Sequence, residues 1–425
     1  MQFPSRCRKQ DYLLYFSEIR IVISQLKSKG VFMTRLQIEN FGPVKKCDIE
    51  ITHLTVLVGN QGTGKSTIAK LYSSLVWLEK ACRIQKVDMD KKVSKAAFSK
   101  LLNFQQISSY LQDETVIKYD GDFCRIEYVD NKLVFLLQDN TQSYVLPKIQ
   151  YIPAERNLLS VVDKYGQMQY LSELMQNFIE IFDVAIQSEY VQKLKLPVND
   201  LQVRYDKRSH KILVYNEDYS IPIGMAASGI QSLIPFVVVI HYFSERLFSD
   251  NKYWKSDSLD NKKLLDNLLL KELGYIPDNL EKDEKLKEIH KNIFNSCFIA
   301  VMEEPEQNLF PNSQKKVMQF LLQKLNTSMD NKIIVTTHSP YVLETINNCI
   351  YAKSLSDKNI KTDDLIPVNQ QISYDQVSAY KIVNGCTESI KIEELKQLDP
   401  AEIDSCSIDI NTVYSELSDR EYADE

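Results

Sequence analysis

The sequence has no C-x-x-C pair; its eight cysteines lie far apart, from Cys7 to Cys406. That scatter excludes a zinc ribbon or a dithiol redox motif and suits thiols kept reduced. Long apolar runs are missing too. The longest, Leu233–Ile240, falls far short of the ~20 residues that span a bilayer as a helix. Near the N-terminus, Glu18 and Arg20 interrupt any signal-peptide core. There is no excess of positive charge. With 51 Lys+Arg, 57 Asp+Glu and a net charge of −6, a global nucleic-acid footprint is excluded, while a local basic patch is not. No heptad pattern persists, which excludes a long coiled-coil arm, and no internal repeat is visible. These absences lead us to expect a cytoplasmic protein without a membrane partner.

What is present is enough for two to three structural units: 425 residues, 44% of them hydrophobic. Met33 opens "MTRLQIENFGPV", which reads as a protein start running straight into a strand, so residues 1–32 are set apart as an N-terminal extension of open status. Leu36–Asn40 and Lys45–Ile51 alternate apolar and polar residues, as half-buried strands do. Leu54–Gly59 is apolar throughout until its glycine, the mark of a fully buried strand. A glycine-rich turn follows, then a helix with Ile68, Leu71, Leu75 and Leu78 on one face. Residues 80–112 read as further helix. Between Thr115 and Gln138, turn signals at Asp120-Gly121 and Asp130-Asn131 divide three alternating runs into an antiparallel sheet. "IQYIP" is another buried strand, 165–195 reads as helix, and 201–223 as hairpin strands. Residues 250–292, dense in Lys, Asp and Glu, read as a charged helical insertion. "CFIAVM" and "KIIVTT" are two more buried strands, separated by a helix over 312–326. The fold class is α/β, with a mixed sheet.

Chemistry enters with "GNQGTGKST", which fits G-x-x-x-x-G-K-[ST]. Gly59, Asn60, Gln61, Gly62, Thr63, Gly64, Lys65, Ser66 and Thr67 form the candidate phosphate cradle. Its glycines let backbone N–H groups curl round phosphate oxygens, and the helix N-terminus adds a favourable dipole. Lys65 places a charge on the β- and γ-phosphates, and Ser66 offers a hydroxyl to Mg²⁺. A chance glycine turn with a lysine is the weak alternative, because a buried strand precedes the loop and an amphipathic helix follows it.

Such a loop needs a carboxylate for the metal and a group that orients the attacking water. The apolar run Phe298–Met302 stops at Glu303 and Glu304, which supply both: Glu303 for the metal, Glu304 for the water. A solvated loop after a core strand is the competing explanation. "KIIVTTHSP" ends at His338, placed to sense the γ-phosphate or to be an ordinary satisfied histidine. "AASGIQSLIPFVV" puts Ser228 and Gly229, with Gln231, at the start of an apolar helix. Read alone they cap that helix; read with the other motifs they offer N–H groups to a phosphate.

In this order the motifs resemble the AAA/ABC-type ATPase heads of the RecF/SMC/OLD group. "LQIENFGPV" resembles the group's opening strand and "GNQGTGKST" its Walker A. "ASGIQS" is similar to its signature, "EEPEQNLFP" to its Walker B and D-loop, and "TTHSPYVL" to its switch-histidine segment. "EEPE" and "YIPAERN" are closest in pattern to compact OLD-type and Septu-type ATPases of bacterial anti-phage systems. The resemblance implies a head over 33–355. Within it, 33–160 is a Walker A lobe with an antiparallel insert. A helical signature lobe with the charged insertion covers 161–292, and 293–355 is a Walker B and switch-histidine part. Residues 356–425 form a C-terminal segment. It further implies ATP and Mg²⁺ as ligands and a homodimer or higher oligomer in which Ser228 and Gly229 meet the partner's γ-phosphate. An effector, a nuclease or toxin, would act in trans, with nucleic acid as a further possible partner. Three features depart from the pattern. Glu303 stands where an aspartate is usual, and Phe310 where a histidine is common. Glu155 and Arg156 stand where a glutamine is expected, leaving Arg156 to bind phosphate or to form a salt bridge; Glu306 has no assigned role. No D-x-D cluster follows His338, so an intrinsic nuclease is not expected. A RecF-like repair ATPase and a slow-turnover scaffold that sequesters an effector are the competing functions. A transporter ATPase fits poorly, since Ile230 breaks L-S-G-G-Q.

Overall fold

The computed structural model describes residues 34–84, 93–138, 144–161, 171–253 and 296–400, with Thr412, Val413 and Ser415. The extension expected over 1–32 and nearly all of the charged insertion over 250–292 lie outside the described residues. The alternating runs are β1 (Thr34–Phe41) and β2 (Val44–Ile51), paired as an antiparallel hairpin. The apolar run is β3 (Leu54–Val58), every residue of it buried. β4 (Val93–Ser94), β5 (Leu111–Asp120), β6 (Cys124–Val129) and β7 (Lys132–Leu137) continue the antiparallel part outward from β1. The β6–β7 turn has Asp130 at φ 50° and Asn131 at φ 60°, two left-handed residues of the kind that a tight hairpin twist requires.

β8 (Pro147–Ile152), β13 (Cys297–Glu303), β14 (Lys332–Thr337), β3 and β15 (Val377–Val383) form a parallel block in that spatial order. β16 (Cys386–Ser389) joins β15 to β2, so that twelve strands make one mixed sheet. β9 (Leu194–Lys195), β10 (Gln202–Asp206), β11 (Lys211–Tyr215) and β12 (Ser220–Pro222) form a separate sheet of four. β17 (Lys391–Ile392) and β18 (Gln397–Leu398) pair as a short ribbon.

Alternation explains why the parallel block is apolar throughout: it is covered on both faces. Val56, Phe298, Ala300, Met302, Ile333 and Val335 point into one core, shared with α3 (Glu173–Gln187), α4 (Ser228–Tyr253), α5 (Pro311–Leu325) and α6 (Pro340–Ser356). Leu57, Ile299, Val301 and Ile334 point into the other, shared with α1 (Lys65–Arg83), α2 (Lys95–Phe104) and the antiparallel strands. Each fully buried aliphatic side chain contributes about 1.5–3 kcal/mol relative to exposure. Among the described residues, no helix is long and apolar enough to cross a membrane.

Two expectations change. Residues 80–112 are not one helix: α1 ends at Arg83, Ser94 caps α2 by accepting from Ala97 N, and β5 begins at Leu111. Nor does a boundary near 356 separate the head from a C-terminal segment. β15 lies beside β3 in parallel register, Val377 opposite Leu54 and Lys381 opposite Val58. Thr55 Oγ1 and Ser378 Oγ, 2.9 Å apart, share a buried hydrogen bond across that pair. β3 is thus an interior strand, held between β14 and a strand from the tail.

Candidate nucleotide site

The parallel strands β3, β13 and β14 end side by side, which brings the loop after β3, the glutamates after Met302 and His338 to one rim of the sheet. Gly62 at φ 76° and Gly64 at φ 109° take left-handed conformations that the loop needs and that a Cβ would resist. A Cβ on Gly59 would lie 2.7 Å from the Ile382 carbonyl oxygen of β15. α1 begins at Lys65 with no side chain capping its N-terminus. Lys65 Nζ folds back and donates to the carbonyl oxygens of Gly59 (2.8 Å) and Asn60 (2.9 Å), and Thr63 Oγ1 donates to Asn60 O (2.9 Å). Burial holds the Lys65 ammonium below its ordinary pKa, against the opposing pull of Glu304, Glu306 and Glu303. An ammonium held by carbonyl oxygens beside an uncapped helix end is a cradle suited to an anion. Ser66 and Thr67 occupy the first turn of α1; Asn60 and Gln61 are exposed on the loop.

Glu303 closes β13 and is 9% exposed. Burial raises its carboxyl pKa, while the hydroxyl of Tyr151, which donates to it, and the Lys70 ammonium lower it. Glu303 and Ser66 together offer hard oxygen donors of the kind Mg²⁺ takes alongside phosphate oxygens. Glu304 sits at φ 44°, a left-handed conformation that costs a non-glycine residue ~1–2 kcal/mol. Its N–H still continues the ladder to Thr336 O (2.9 Å), and its side chain turns toward His338, with Oε1 3.5 Å from Nε2. Burial, then Lys65, hold the His338 pKa below its ordinary value, and Glu304 opposes them. Glu306 does not face outward. Its Oε1 accepts from Thr337 Oγ1 (2.7 Å) and His338 N (2.8 Å), fixing the end of β14.

Arg156 has neither role expected of it. It is 0% exposed, and its guanidinium is spent on backbone carbonyls. Nε donates to Ser232 O (3.1 Å), Nη1 to Pro153 O (3.1 Å) and Glu303 O (2.7 Å), and Nη2 to Glu304 O (2.6 Å). The ring of Phe236 lies beneath, 5.1 Å from the guanidinium carbon to the ring centroid. Burial lowers the Arg156 pKa to about 10, against the pull of Glu306, Glu304 and Glu303. Arg156 therefore ties the start of α4 to the peptide units of both glutamates.

Ser228, Gly229 and Gln231 lie at the N-terminus of α4. Within the chain Gly229 packs against Asn308 and Leu309, residues after Glu306. A Cβ on Gly229 would lie 2.6 Å from Asn308 O, so close packing there demands glycine. Asn308 Nδ2 donates to Ser232 Oγ (2.9 Å), Gln231 Nε2 to Gly224 O (3.0 Å), and Ser160 Oγ to Gln231 O (2.6 Å). Phe310 occupies the N-cap position of α5 without a side-chain capping bond and is 77% exposed. The sequence reading missed Tyr151 as the partner of Glu303. The available signal was a tyrosine inside a buried strand, whose hydroxyl normally needs a partner.

Among solved structures the chain is similar to an SMC head domain from Thermotoga maritima, at 10% identity over 85% of this chain and 99% of that one, with a TM-score of 0.36. An Smc head with an extended coiled coil, bound to the C-terminal domain of ScpA derived from Pyrococcus furiosus, is 11% identical over 89% and 99% of the two chains, with a TM-score of 0.33. The recombination mediator RecF is 10% identical over 84% and 98%, with a TM-score of 0.29. No curated protein matches the chain. The AAA ATPase domain family matches residues 83–343, a stretch that begins after the Gly59–Thr67 loop and contains Ser228, Glu303, Glu304 and His338. With more than half of its length matched, the chain belongs to the AAA ATPase domain family.

Proposed function

We propose that the chain binds ATP and Mg²⁺ at the Gly59–Thr67 loop, hydrolyses the nucleotide, and uses the cycle as a dimer switch in bacterial anti-phage defence, with a partner effector. The observation that carries the chemistry is the gathering of Lys65, Glu303, Glu304 and His338 on one rim of the sheet, with Lys65 within the field of the glutamates. Mg²⁺, when bound, neutralises charge building up on the transferred phosphoryl group. Ser66 and Glu303 would hold it. Lys65 exchanges its carbonyl partners for phosphate oxygens, which its reach to the Gly59 and Asn60 carbonyls makes a local movement. Glu304 takes a proton from the attacking water, and His338, kept neutral at physiological pH, donates a hydrogen bond to the γ-phosphate. The N-termini of two helices serve the switch: α1 holds phosphate in cis and α4, through Ser228 and Gly229, holds it in trans. Hydrolysis then removes the group that joins the two subunits.

Glu304→Gln should bind ATP as the parent does, lose turnover at least about 100-fold, and run as a dimer in light scattering with ATP present. Normal turnover by this variant would remove Glu304 from the role of base. A monomer under saturating ATP would remove the dimer switch while leaving the ATPase intact.

A further inference from the structure

At the end of the sheet opposite the phosphate loop lies a cavity of about 310 Å³. Its place follows from chain direction. β3 runs from His53 towards Gly59, and the cavity is lined by His53 and by Pro147, Cys297 and Lys332, at the starts of β8, β13 and β14. α1 forms another wall with Tyr72, Val76 and Glu79, spaced to share one helix face.

Its buried polar atoms are incompletely matched. Tyr72 is 1% exposed and Tyr144 is 3% exposed, and neither hydroxyl has a hydrogen-bond partner among the described residues. An orphaned buried hydroxyl costs ~1–3 kcal/mol, so two in one cavity mark a place that another molecule completes. Glu79 lies with them, accepting from Tyr119 Oη (2.7 Å), Phe123 N (2.7 Å) and Cys124 N (3.4 Å). Burial, and then the charge of Asp122, push the Glu79 carboxyl up to about 7. Asp330 and Asp375 stand exposed among the lining residues. The opposing charge in the lining is Lys332, already donating to Thr34 Oγ1 (2.8 Å) and Asp122 Oδ2 (3.2 Å). Burial keeps the His53 pKa below its ordinary value, so this ring is neutral at pH 7.

We propose that this cavity binds an aliphatic diamine or polyamine. One ammonium sits between the Tyr72 and Tyr144 hydroxyls beside Glu79 and Asp122, and a second sits at Asp330 and Asp375. An ammonium carries three donors for two phenolic oxygens and a carboxylate. Ile51, Val76 and Ile299 supply the apolar wall for the methylenes. The surplus of carboxylates excludes an anion, and a wholly apolar ligand would leave both hydroxyls unmatched. Among the described residues no group of three or more His, Cys, Asp or Glu could hold a metal ion, which disfavours a bare divalent cation. The cavity lies at the opposite end of the sheet from the phosphate loop, so amine binding is separable from the proposed ATPase cycle.

The test is calorimetric titration of the full chain with putrescine and with spermidine at pH 8, above the Glu79 pKa. The parent should bind at least one amine saturably. Tyr72→Phe and Tyr144→Phe leave every charge in place, so loose attraction to an acidic protein persists in them. Each should nevertheless lose affinity at least about tenfold, with Tm equal to or above the parent's because an unmatched hydroxyl is gone. Asp122→Asn, at a partly exposed site, should weaken binding independently. Absence of saturable binding, equal binding by parent and all three variants, or a crystal structure grown with spermidine that shows only water in the cavity would overturn the proposal.

Discussion

Glu79 and Lys65 stand on one helix, and each is held away from its ordinary titration by burial, in opposite senses for stability. Glu79 keeps its proton in the folded chain up to about pH 7, whereas the unfolded chain releases it near 4.5. The folded state is therefore favoured below 4.5, and that advantage falls as pH rises to 7, by on the order of 3 kcal/mol. Glu79→Gln removes this dependence. Thermal melts of variant and parent should agree at pH 4.5 and separate in favour of the variant by pH 8; parallel profiles would mean that Glu79 is ionised throughout. For Lys65 the consequence is chemical: among the described residues its ammonium has no carboxylate partner to give up before it meets phosphate. Lys65→Ala should lose ATP binding by at least about 100-fold in a fluorescent-nucleotide titration, and micromolar affinity in the variant would dismiss the cradle.

Among elements, the join that Arg156 makes between α4 and the end of β13 decides the geometry. It fixes the carbonyl of Glu304, a residue already in a left-handed conformation, and the carbonyl of Ser232 at the signature-like end of α4. A change at one helix start is thereby felt at the peptide of the proposed base. Lysine cannot reproduce four bonds in a planar fork, so Arg156→Lys should destabilise the chain by roughly 3 kcal/mol. Turnover should fall in proportion more than ATP affinity, read from kcat and KM on the folded fraction. Unchanged kcat would reduce Arg156 to a packing residue. This join was not legible in the sequence, and the reason is physical. Its acceptors are backbone carbonyls, which carry no residue identity, and they belong to segments far apart in the chain. By contrast β3, the loop and α1 were legible because burial on both faces, left-handed glycines and a 3.6-residue period each leave a local trace. Gly229 lies between these cases. In sequence, glycine there suits phosphate chemistry or capping, whereas the structure adds a closer constraint, the carbonyl of Asn308.

For the whole molecule the sheet is the unit, and its order is not the order of the chain. Strands 1 and 2 of the sequence lie on the far side of β15 and β16 from β3. The tail reads as a separate segment because nothing within a short run such as Val377–Val383 names its neighbour in the sheet. A chain ending at Ser356 lacks β15, opens one edge of β3 and uncovers an apolar parallel block. Its soluble yield should collapse, and circular dichroism of any recovered material should show no cooperative melt; a soluble chain with the parent's Tm would make the tail dispensable. Val377 pairs with Leu54, and Gly59 rests against the carbonyl of Ile382. On a ribosome the loop is made early and its support late, so every nascent chain passes a long interval with a P-loop sequence and no finished P-loop. Under the proposed function, competence to grip a nucleotide becomes a sign that translation has proceeded past residue 383, and a message cut short before that point yields a chain without a finished loop.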